Sequence, residues 1–115
     1  MNKHKLKKEI LKYIKSHAET SFVEIEQIFE KNKFDYRGNG VYSSGANDNV
    51  IFWTGWNEKA FDIIAGLKRD GYIEMNICPP LYYLIDGKSL NLPIVRSGNI
   101  KTDHWLPVSF SAKQP

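Results

Sequence analysis

The stretch Trp56-Asn57-Glu58-Lys59-Ala60-Phe61-Asp62-Ile63-Ile64-Ala65-Gly66-Leu67-Lys68-Arg69-Asp70-Gly71-Tyr72-Ile73-Glu74 decides the fold. Asn57 has the side chain of a helix N-cap, whose oxygen accepts from a backbone N–H two or three residues on. Trp56, Ala60, Ile63, Ile64 and Leu67 recur at helical spacing and predict the inward face. Asp70-Gly71 stops the helix, with glycine where a left-handed residue is wanted. From Tyr72 to Cys78 the period drops to two, with Ile73, Met75 and Ile77 on one side of a strand.

Downstream, Pro79-Pro80 ends that strand because neither residue can donate to a ladder. Leu81-Tyr82-Tyr83-Leu84-Ile85 reads as the return strand and Asp86-Gly87 as its end, giving a hairpin over 72–86. Residues 88–115 are less regular. Leu92-Pro93-Ile94-Val95 and Leu106-Pro107-Val108-Ser109-Phe110 read as extended pieces, and Trp105 and Phe110 predict a tail packed on the domain. The last five residues, 111–115, read as frayed. Upstream, Val50-Ile51-Phe52-Trp53 predicts a short buried strand broken at Thr54-Gly55. Residues 35–49 are a long loop by composition, and Gly38, Gly40 and Gly45 do not form a dinucleotide fingerprint.

Ser21 and Glu24 predict a capping box. Phe22, Ile25, Ile28 and Phe29 follow as the apolar face of a second helix, with Glu24, Glu26 and Glu30 on a solvated acidic face. A first helix precedes it, with Leu6, Ile10, Tyr13, Ile14 and His17 on one side.

Charge is distributed unevenly. The 115 residues carry a net charge of +3, yet residues 1–17 hold six lysines and one acid, Glu9. That segment is +5 and the remainder is −2. Lys5, Lys8, Lys12 and Lys15 fall on a stripe opposite the apolar face of the first helix. Such a stripe is either a solvated outer surface or a ridge that contacts phosphates, and a polyanion would relieve the repulsion among its like charges.

The order helix, helix, short strand, helix, hairpin is close to that of winged helix-turn-helix proteins. Residues 56–74 resemble the third helix and first wing strand of that superfamily, through Ala60, Ile64, Leu67, Gly71, Tyr72 and Ile73. The chain also looks like small winged-helix proteins of staphylococcal phages and pathogenicity islands. The resemblance implies an α+β winged helix-turn-helix fold, with three helices, a small antiparallel hairpin and an extended C-terminal tail. The domain would span 1–87 and the tail 88–115. It also implies a mobile genetic element protein acting in transcription or DNA replication. Three features depart from the DNA-reading pattern: the long connection before the third helix, the outward stripe Glu58, Asp62, Ala65 and Arg69, and a hairpin without Lys or Arg. Carboxylates on that stripe would face phosphates and acceptor-rich base edges.

Two binding functions are therefore expected. A nucleic-acid interface, for single- or double-stranded DNA, would use Lys3, Lys5, Lys8, Lys12, Lys15 and Arg69. Trp53 and Trp56 are either core or a stacking surface for unpaired bases, which Tyr36, Tyr42, Tyr82 and Tyr83 could extend. A protein-interaction surface for a phage, replication or host protein would use Glu58, Asp62, Ala65, Pro79, Pro80 and Leu81. Ala65 and Gly66 are small enough to admit a second copy, as a homodimer through the third helix. No catalytic residue, metal site or cofactor is expected. His4, His17 and His104 are unpaired in sequence, Cys78 is the one cysteine, and no nucleophile has a neighbouring base. With no apolar run of membrane-spanning length and no leader segment, a cytoplasmic protein is the simplest expectation.

Overall fold

The computed structural model describes residues 2–113. Within them the chain is α+β, with four helices and two small sheets. The elements are α1 (Lys3–Ser16), α2 (Phe22–Lys31), β1 (Arg37–Ser44), β2 (Asn47–Trp56), α3 (Glu58–Arg69), β3 (Ile73–Ile77), α4 (Leu81–Asp86), β4 (His104–Trp105) and β5 (Val108–Ala112).

The three long helices begin and end where their capping residues dictate. Asn2 Oδ1 accepts from His4 N at 2.8 Å and starts α1. Ser21 and Glu24 form the reciprocal capping box of α2, each side chain bound to the other's backbone N–H at 3.1 Å. Asn57 Oδ1 accepts from Ala60 N at 2.9 Å to start α3, and Gly71 follows its end at φ +83°.

The strands depart from the sequence expectation in two places. Residues 37–56 are a hairpin of β1 and β2, not a loop leading to a short strand. Thr54 and Gly55 lie inside β2, where Gly55 takes φ +92° and bends the strand without ending it. The glycine-rich composition of β1 serves its close pairing. A Cβ on Gly40 would stand 2.4 Å from the Trp56 carbonyl oxygen, so only glycine fits. The second departure is residues 81–86. They form α4 instead of a return strand, because Pro80 opens a turn and Gly87 closes it at φ +85°.

The strand that pairs with β3 is β5, antiparallel, from Ile73 opposite Ala112 to Ile77 opposite Val108. An isolated antiparallel bridge joins Thr20 to Phe110 on the other edge of β5. In the second sheet β2 pairs antiparallel with β1 and parallel with β4. Residues 104–105 and 108–112 are thus strands, each paired with a strand of residues 37–77. Ser111 and Ala112 are paired, not frayed, while Gln114 and Pro115 lie outside the described residues.

The core is aromatic and centred on Phe22. Its ring stacks on Trp53 with centroids 5.6 Å apart and meets Trp56 and Phe110 edge-on at 5.4 and 5.1 Å. Such pairs add roughly 0.5–1.5 kcal/mol each to plain apolar burial. Tyr83 pins three elements together. Its hydroxyl donates to the Val108 carbonyl at 2.6 Å and accepts from Phe22 N at 3.2 Å.

Candidate nucleic-acid interface

The lysine stripe is open. Lys3, Lys5, Lys8, Lys12 and Lys15 are all exposed, while Leu6, Ile10 and Ile14 are buried on the opposite side of α1. Among the described residues none of these five lysines forms an ion pair. Glu9, the only acid of α1, turns toward α2. It accepts from Asn32 Nδ2 at 3.0 Å and pairs with Lys31 at 3.9 Å. Its charge is therefore engaged on the flank of the helix.

The placement of these cations opposes helix stability. The first turn of α1 holds Lys3, His4 and Lys5 and no acid. Cations at a helix N-terminus meet the positive end of the backbone dipole, an interaction of about 0.3–1 kcal/mol each. Repulsion along the stripe adds to this. Capping and packing hold the helix in place while its outer face stays electropositive.

Arg69 lies near Lys7, on the flank of α1. A Cβ built on Gly66 of α3 would lie 3.2 Å from Lys7 Nζ and 3.4 Å from an Arg69 guanidinium nitrogen. The bare backbone of Gly66 lets Lys7 of α1 reach across α3 toward Arg69. Gly66 is buried beside this contact and Ala65 is half-buried, so Gly66 does not lie on the open outer side of the helix as expected. Arg69 also pairs with its neighbour Asp70 at 3.5 Å. Glu58 and Asp62 are exposed further back on α3 beside an exposed Lys59, so the outward surface of that helix mixes both signs and turns basic at its end.

Trp53 and Trp56 do not belong to this surface. Both are 0% exposed, so neither can stack on a base. Their indole N–H groups both donate to Glu26 Oε2, at 3.0 and 2.8 Å. Glu26 is itself buried, which corrects its assignment to a solvated face. Its other oxygen accepts from Lys88 Nζ at 2.8 Å. Two indole donors and one cation satisfy a carboxylate that would otherwise be costly to bury. Tyr36 and Tyr83 are buried too, Tyr42 and Tyr82 half-buried. The Tyr13 hydroxyl donates to Glu24, and its pKa is pushed up to about 12, first by burial and then by that hydrogen bond.

The residues expected to bind a partner fall in two places. Glu58, Asp62 and Ala65 lie on α3, whereas Pro79, Pro80 and Leu81 lie between β3 and α4. Pro79 and Leu81 are exposed and Pro80 is half-buried. The short helix extends the apolar surface beyond those three: Leu84 is 63% exposed and Ile85 74%. Leu81, Leu84 and Ile85 share one helix face, opposite the buried Tyr83. Reading 81–85 as a strand hid that spacing.

Among the described residues, no group of three His, Cys, Asp or Glu side chains is gathered to hold a metal ion. No helix there is long and apolar enough to cross a membrane. No family model, characterised protein or solved structure matches the chain.

Proposed function

We propose that the protein is a non-enzymatic, nucleic-acid-binding module of winged-helix architecture, which contacts phosphates through the outer face of α1. The single observation that carries this reading is the open stripe Lys5, Lys8, Lys12 and Lys15, free of ion pairs among the described residues. The winged-helix part is supported by the order of elements around one antiparallel arrangement. Thr20 follows α1 and bridges to β5, and β5 pairs with β3, which follows α3. Relative to that plan, the β1–β2 hairpin is an insertion between α2 and α3, and α4 with residues 88–107 stands where a short wing would be. Exposed Glu58 and Asp62 interrupt the basic residues of α3, whereas the stripe of α1 carries lysines alone, which favours α1 over the third helix as the phosphate-contacting element. The likeness to proteins of staphylococcal phages and pathogenicity islands suggests DNA replication or transcription on a mobile element as the setting.

Binding of this kind is mainly electrostatic. Four lysine–phosphate contacts give affinity falling with the logarithm of salt at a slope of roughly −3 to −4. Fluorescence anisotropy on single- and double-stranded DNA at low and moderate salt tests the reading. Salt-dependent binding that Lys12→Glu abolishes is expected; no binding at low salt would rule it out.

A second reading is favoured by the exposed apolar face of α4. Leu81, Leu84 and Ile85 in water mark a surface for a protein partner, here a phage, replication or host protein. Nuclease-treated pull-downs with the natural chain and with Leu84→Ser/Ile85→Ser test it. A protein recovered equally by both leaves this face without a role.

A further inference from the structure

A cavity of about 390 Å³ opens between the start of α1 and the end of α3. Its volume is near the lower end of ligand sites, roughly 300–1,000 Å³. His4, Lys7, Lys8 and Leu11 line it from α1, at the i, i+3, i+4, i+7 spacing of a single helix flank. That flank lies between the buried face and the lysine stripe, and Lys8 belongs to both. Leu67, almost fully buried, and Tyr72 line it from the other side.

Tyr72 is the unusual member. The residue is 53% exposed, yet its backbone is held on both sides. Its N–H donates to the Leu67 carbonyl and its carbonyl accepts from Lys113 N, each at 3.0 Å. An exposed aromatic ring on a fixed backbone costs little further ordering when something stacks on it. Around it stand two lysines, one histidine and one acid, Asp70. Asp70 uses one oxygen toward Arg69, leaving the other able to accept from an exocyclic amino group.

We propose that this cavity takes one unpaired nucleobase of a single strand lying along α1, stacked on Tyr72, with Lys8 and His4 turned to its phosphates. The inference rests on the phosphate-contacting role of the α1 stripe and adds to it a preference for single strands. A base inside a duplex is already stacked and paired, and would have to be extruded to enter.

Anisotropy titrations with a labelled single strand lacking self-complementarity, and with its duplex, decide the matter. Removing one base–aromatic stack weakens single-strand binding by about tenfold or more. Tyr72→Leu is therefore expected to do so and to leave duplex binding unchanged, while Tyr72→Phe keeps natural affinity. Lys12→Ala/Lys15→Ala, outside the cavity, is expected to weaken both. If Tyr72→Leu binds the single strand as tightly as the natural chain, or loses duplex affinity equally, the cavity proposal is overturned and the stripe is left standing. If the natural chain binds neither form at low salt, the stripe reading fails and the cavity proposal with it.

Discussion

Lys88 Nζ stands 2.8 Å from Glu26 Oε1, joining the segment after α4 to the buried side of α2. The carboxylate side chain is 6% exposed and the lysine 51%, so the two partners are unequal. Removing Glu26 leaves two indole N–H groups without an acceptor in the core. Glu26→Ala is expected to cost about 3–5 kcal/mol, as for a broken buried pair. Lys88→Met leaves that carboxylate its two indole donors but not its counter-charge, and should cost about 1.5–3 kcal/mol. Urea unfolding followed by tryptophan fluorescence measures both, and equal losses would contradict the asymmetry.

Alkaline pH should weaken the fold. The Cys78 thiol is pushed up to about 11 from an ordinary 9.0, first by burial and then by Glu19. Tyr13 is pushed up to about 12 from an ordinary 10.0. Both groups keep their protons longer in the folded chain than in the unfolded one. Their stabilisation is complete below about pH 9 and is lost as the pH climbs toward 12. The urea midpoint should therefore fall between about pH 8 and pH 11. Iodoacetamide should label Cys78 slowly at neutral pH, and quickly only once the chain is unfolded.

Gly40 and Gly45 offer a paired test of the β1–β2 hairpin. A methyl group on Gly40 meets the Trp56 carbonyl oxygen, whereas one on Gly45 meets nothing within 4 Å. Gly40→Ala should destabilise by about 2–4 kcal/mol. Gly45→Ala should stay within about 0.5 kcal/mol of the natural chain. Thermal unfolding of the two variants side by side checks this.

The lysine stripe makes a quantitative demand. Lys8→Ala/Lys12→Ala removes two phosphate contacts, so the salt slope of DNA binding should shrink by about 2. Both side chains are exposed, so the melting temperature should barely move. Lost affinity with an unchanged slope would mean that these lysines act other than through phosphates.

The apolar face of α4 is separable from folding. Leu84→Ser/Ile85→Ser changes exposed positions and should alter stability by less than about 0.5 kcal/mol per site. The same variant should bind less of a hydrophobic dye such as ANS. A large stability loss would show that α4 packs more tightly than its exposure indicates.

Helices were the legible part of the sequence because their signals are local. Ser21 with Glu24, Asn57 with Ala60, and Gly71 each act within a few residues. The buried positions of α1 to α3 follow the 3.6-residue period that the sequence carries. The strand partners were not legible. Residues 81–85 are rich in tyrosine and leucine and resemble a strand by composition, but Pro80 and Gly87 bracket a single helical turn and a half. Residues 37–44 look like a loop because the strand has no buried residue and is mostly polar, with no apolar alternation to betray it. Glu26 was hidden for a different reason. Its partners Trp53, Trp56 and Lys88 come from distant parts of the chain, and nothing beside Glu26 distinguishes it from Glu24 or Glu30. Among the site residues the lysine stripe was readable as a period. The meeting of Lys7 with Arg69 over Gly66 needed two helices to be packed first.

β5 is the last strand in the described chain and the middle one of its arrangement, with β3 on one side and Thr20 on the other. Its partners therefore wait for it. During synthesis the helices can form as they leave the ribosome, but Thr20 and β3 have no central strand until residues 108–112 emerge. Closure then joins segments far apart along the chain, an arrangement that folds slowly. Until that moment Phe22 lacks its contact with Phe110 and Tyr83 its contact with Val108. The nascent protein passes through an interval in which its aromatic centre is open to chaperones and proteases.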